Sequence, residues 1–163
     1  MAFHDTIDEY TAAADQRLTD ARELMEPPTR DAARSDAKQR HLRGAMYLAG
    51  YAVECLLKAY LIQQEDTPTL SRAMRSLDKF RISKGQKAVK DIAHTAAGHQ
   101  IVYLVKLTNL ETYPGYDEKL WGRVGKWQSS WRYESGWVEQ KKAQEFLKDV
   151  EVVVRWLQPK FGG

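Results

Sequence analysis

The sequence predicts an all-α protein, an antiparallel bundle of about five helices in which residues 1–163 form one domain. Three observations predict this. Apolar residues recur at the spacing of a helix face along most of the chain, no stretch alternates as a strand does, and Pro, Gly and turn clusters such as "EPPT" and "YPGY" separate the helical stretches by short connections. The chain is long enough to bury one sizeable core and too short for two comfortable ones. An apolar share of 43 % beside 29 % charged residues excludes a disordered tail.

Each element has its own signal. Over roughly Asp5 to Met25, Ile7, Tyr10, Ala14, Ala21, Leu24 and Met25 mark one helix face, and two prolines in "EPPT" stop it. A second and longest helix is predicted from about Asp31 to Gln64, ending before "DTP". Leu70 to Phe80 reads as a short third helix broken by "RISKG". The pattern resumes from Gln86 to Leu110, with Gly98 dividing or bending it, and "YPGY" is a turn. Leu120, Val124, Trp127 and Trp131 then predict a helix over roughly Asp117 to Trp131. Ala143, Phe146, Leu147, Val150, Val153, Val154 and Leu157 mark a long last helix that Pro159 closes.

Charge and cysteine usage narrow the function classes. A formal net charge of +3 permits nucleic-acid contact without demanding it. Cys55 is the sole cysteine, so no internal disulfide is available, and its apolar neighbours make it a small buried hydrophobe. No CxxC pair or His/Cys cluster supports zinc, and neither a metal nor a cofactor is expected. The polar, acidic start "MAFHDTIDEY" does not read as a secretory signal. The uncharged apolar run Ala45 to Val53 is far short of the ~20 residues a membrane span needs. A cytoplasmic protein without a membrane partner is expected.

The stretch "MYLAGYAVECLLKAYL", Met46 to Leu61, carries two full charges inside an otherwise apolar helix. On a helical wheel Arg43, Tyr47, Gly50, Glu54 and Lys58 share a sector of roughly 80°. Glu54 and Lys58 stand i, i+4 in the favourable order. Two readings stay open. The pair is either a satisfied ion pair at the rim of the core, or part of a cleft wall of Arg43, Tyr47, Glu54 and Lys58 at whose centre Gly50 admits a ligand or another helix.

"AMYLAGYAVECLLKAYL", then "GHQIVYLVKL", then "WQSSWRYE" before a long last helix, together resemble the HEPN domain family. The resemblance covers roughly Arg40 to Leu157. It rests on the pattern A-x-Y-x-A-x-Y-x-x-E-x-x-L-K-A, on His99 opening a later helix, and on the Arg132–Tyr133 dipeptide. It implies an antiparallel helical bundle that commonly forms a homodimer, with polar residues of two chains in one cleft. Many members are RNases of toxin–antitoxin or defence systems. Others pair with a small nucleotidyltransferase or another cognate protein, or bind nucleotides.

The RNase members carry an Arg and a His with four to six residues between them near the later helices, the Arg stabilising phosphate charge and the His moving a proton. No His follows His99 here, so that motif is missing where the family places it. Arg34 and His41 have six residues between them, but they precede the apolar helix, and chance alone supplies about one match of this kind. Arg34, His41 and His99 remain the catalytic candidates for a metal-independent RNase. A last segment, Glu118 to Trp137, holds four of the five tryptophans. Lys119, Arg123 and Lys126 beside its apolar seam are candidates for nucleic-acid contact, or long basic side chains lying along the core. Arg132 and Tyr133 interrupt the helical pattern, and Arg132 is the candidate to complete the cleft by binding a phosphate or neutralising Glu54. The preferred expectation is an interaction module that binds RNA, a nucleotide or a protein partner without cutting. A purely structural helical dimer is the third reading.

Overall fold

The computed structural model describes residues 6–26, 35–84, 101–134 and 137–161. Within them the chain forms six α-helices: α1 (Ile7–Met25), α2 (Ser35–Gln64), α3 (Leu70–Ser83), α4 (Ile101–Leu107), α5 (Glu118–Val124) and α6 (Gln140–Leu157). One-turn 3-10 helices at Leu110–Thr112, Ser129–Tyr133 and Gln158–Phe161 complete the ordered elements, and no strand occurs among the described residues. The all-α expectation holds.

Local chemistry sets the helix ends. Thr6 caps α1, its hydroxyl accepting from Glu9 N–H while the Glu9 carboxylate accepts from Thr6 N–H, so two otherwise orphaned donors are satisfied. The helix stops where Glu26, which precedes a proline, turns to extended backbone. At the end of α2, Asp66 takes a left-handed φ of 47°, and Thr67 N–H reaches back to the Ile62 carbonyl, closing the last turn. In "YPGY", Gly115 has φ +81° and Tyr116 N–H donates to the Tyr113 carbonyl, so the turn uses glycine where an L side chain is strained.

Helix α2 is the axis of the bundle. Ala45, Ala49, Ala52, Val53, Leu56, Leu57, Leu61 and Ile62 on it are buried, which accounts for its near-continuous apolar sequence. Against it pack α1 on one side and α6, through Phe146, Val150, Val153 and Leu157, on another. Leu24 near the end of α1 approaches Gly44 near the start of α2, while Tyr10 near the start of α1 lies under Lys58, so these two helices are antiparallel. Helix α6 runs parallel to α2: Phe146 and Lys142 lie toward the Arg43 end, and Lys160 just beyond α6 accepts from Gln63. Among the described residues α2 also provides the one helix long and apolar enough to cross a membrane, His41–Gln64, and 72 % of that window is buried by the rest of the bundle.

Three predicted elements differ: α3 continues to Ser83, through the first three residues of the expected "RISKG" break. The helix expected over Asp117 to Trp131 ends at Val124 with Gly125 as its C-cap, where Lys126 and Trp127 N–H donate to the Arg123 and Val124 carbonyls, three residues back instead of the helical four. The chain then turns, and Trp131 belongs to a separate 3-10 turn. Of the helix expected from Gln86 to Leu110, residues 86–100 lie outside the described residues, and the described remainder is α-helical only over α4.

Candidate functional site

The polar stripe of α2 is not one continuous wall. Its far end is internal: Glu54 is 1 % exposed, and its carboxylate accepts from Lys58 Nζ. The Lys58 ammonium also stands 5.8 Å from the centroid of Tyr10, so α1 covers the pair. Its centre is filled. Trp127 lies flat against Gly50, where an added Cβ would meet the indole Cδ1 at 2.0 Å, and Trp127 Nε1–H donates to the Tyr47 carbonyl at 3.0 Å. The Tyr47 ring is stacked between Tyr51 and Trp127, with centroids 6.1 and 6.0 Å away. Gly50 therefore does admit a close neighbour, and that neighbour is the chain's own tryptophan. Cys55, buried one residue past Glu54, has its thiol pushed up to about 11, first by burial and then by the Glu54 charge.

The Arg43 end opens to a cavity. It measures 300 Å³ and is walled by Arg43 and Met46 of α2, Trp131 and Glu134 of the 3-10 turn, Trp137, and Lys142 of α6. Arg43 Nη1 donates to Glu134 Oε2 at 2.6 Å, and the guanidinium side chain is 17 % exposed. Lys142 lies 3.4 Å from Glu139 at the other lip. Trp137 of the wall is 72 % exposed, and Tyr133, next to Glu134 in the chain, is 76 % exposed. Arg132 lies over the Tyr133 ring, its Cζ 4.5 Å from the centroid. This arrangement offers flat π faces for stacking beside two basic side chains, each with a carboxylate within reach.

The structure thus brings Arg43, Arg132 and Tyr133 to one end of the bundle and leaves Tyr47, Glu54 and Lys58 in its packed interior. Arg132 meets Tyr133, while Glu54 pairs with Lys58. Of the basic face, Arg123 is held bidentate by Asp149 at 2.6 and 2.8 Å, which raises the guanidinium pKa further, and Lys119 and Lys126 are exposed. The central charge of that face is therefore compensated. His41 is exposed on α2, whereas Arg34 and His99 lie outside the described residues. Among the described residues no three of His, Cys, Asp and Glu gather as metal ligands would.

Sequence reasoning missed Glu134, Trp137 and Lys142. "RYESGW" has no helical period, so it reads as an interruption, and Lys142 is one of many exposed lysines. The available signal was the tryptophan count of the segment, since a Trp following "ESG" has no predicted core face to join. The family model for the HEPN domain matches residues 28–160, most of the chain. No curated protein and no solved structure matches it.

Proposed function

The chain belongs to the HEPN domain family, and from that premise we propose that it is a cytoplasmic HEPN interaction module. In this reading it binds RNA or a nucleotide through the cavity at the Arg43 end, without cutting, as a homodimer within a toxin–antitoxin, nucleotidyltransferase-linked or defence pair. The observation that carries the reading is the pair of exposed rings, Tyr133 and Trp137, beside a cavity walled by Arg43 and Lys142. Stacking on such rings holds bases irrespective of sequence, and the neighbouring cations meet phosphates.

Fluorescence anisotropy with an end-labelled single-stranded RNA, in EDTA and over a salt series, tests it. Wild-type binding is expected to weaken steeply with salt, and Tyr133→Ala with Trp137→Ala to weaken it by roughly tenfold or more. Binding indifferent to the double variant, or no binding at all, overturns the reading. Shortening of the RNA that stops in His41→Ala would move the protein to the metal-independent RNases. One observation favours a second occupant. Glu134 and Glu139 give the cavity both signs of charge, which suits a second copy of the chain or a cognate protein, whose contacts centre on Trp, Tyr and Arg. Mass photometry of wild type and the same double variant tests that reading: a dimer that the variant splits supports it, and assembly unchanged in the variant overturns it.

A further inference from the structure

Arg43 and Glu134 come from parts of the chain 91 residues apart, yet they meet at 2.6 Å inside the cavity wall. The two sides of the contact are unequally anchored. Arg43 stands more than two turns inside the start of the longest helix, and its side chain is largely shielded. Glu134 hangs at the end of a one-turn 3-10 helix, in extended backbone with φ −80° and ψ 135°. The backbone bond from Glu134 N–H to the Trp131 carbonyl is 3.3 Å long, and Ser130 Oγ reaches Glu134 Oε1 only at 3.4 Å. Its side chain is 46 % exposed. A shielded guanidinium fixed on a rigid helix, facing a carboxylate on a short pendant turn, has the geometry of an anion site held by an internal anion.

Resting on the binding reading above, we infer that Glu134 is an autoinhibitory placeholder, occupying the position on Arg43 that a phosphate of bound RNA takes. An incoming phosphate exchanges one charge-assisted hydrogen bond for another, so the guanidinium is not left bare at any stage. The displaced Glu134 passes to water at little cost because it is already nearly half exposed. The exchange makes the surface selective. A ligand must bring both an anion for Arg43 and a flat group for Trp137, since the anion alone only replaces what is already there.

The same anisotropy assay, at fixed salt, separates this from general electrostatics. Glu134→Gln keeps the size of the side chain and removes its charge, and it is expected to tighten RNA binding roughly fivefold to tenfold. Glu145→Gln removes an equal charge from an exposed position on α6 outside the cavity, and it is expected to change binding less than about twofold. In an Arg43→Gln background the gain from Glu134→Gln is expected to vanish, as two residues sharing one contact require. Thermal melts of all variants show whether each is folded. Equal gains from Glu134→Gln and Glu145→Gln, a gain that survives Arg43→Gln, or no gain in a folded Glu134→Gln protein overturns the placeholder while wild-type binding still upholds the binding reading. Absence of RNA binding by every folded variant overturns both.

Discussion

At Gly50 the missing side chain is filled by another residue: the Trp127 indole occupies the space a Cβ would take and donates to the carbonyl three residues earlier, at Tyr47. Even one methyl group there cannot be absorbed by the helix, because Trp127 is 1 % exposed and has nowhere to retreat. Gly50→Ala gains helix propensity, yet the clash outweighs it, and a net loss of about 2 kcal/mol is expected in urea unfolding. A mutant as stable as wild type would mean that the indole does not rest on the helix. The sequence pointed to Gly50 as a place of close approach. It did not say what approaches, since nothing local relates a glycine to a tryptophan 77 positions later.

Elements were legible where burial is continuous along one face. Of the predicted face of the last helix, Ala143, Phe146, Val150, Val153, Val154 and Leu157 are buried and Leu147 is partly buried, and α1 and α2 end at the residues where Pro and turn signals stop them. The seam Leu120–Val124–Trp127–Trp131 failed as a helix although Leu120, Val124 and Trp127 are all buried: the apolar spacing recorded burial, while the backbone left the helix at the Gly125 cap. The candidate site suffered for the same reason: its rim lies in the irregular stretch that follows. The charged pair of α2, which a wheel places on a narrow stripe, belongs to the α1–α2 interface. Removing only the cation leaves Glu54 buried beside its former partner's space, so Lys58→Met is expected to cost about 3 kcal/mol. Adding Glu54→Leu should return most of that loss in chemical denaturation. If the double variant is no better than the single, the pair is not what makes the position costly.

Over the whole molecule, the axis helix concentrates groups that resist ionisation. Burial raises Tyr51 and pushes Cys55 up to about 11 and Tyr60 up to about 12, the last also through its hydrogen bond with Tyr113. The folded state keeps these protons where the unfolded chain releases them. The unfolded state then binds fewer protons, and stability falls as pH rises. Their contribution is therefore fully present below about pH 9 and is lost between about pH 9 and 12, with about 2 kcal/mol of the loss from Cys55 by about pH 11. Urea midpoints across this range should decline, and the decline should shrink in Cys55→Ala; a flat profile would contradict it. Trp127 and Trp137 extend this global view in a different way. One indole is sealed at the bundle axis with its N–H engaged, and the other projects into water at the rim. Their emission and their accessibility to an aqueous quencher must differ, so a single fluorescence titration carries two records: one of whether the bundle is intact, the other of whether anything has settled on its open end.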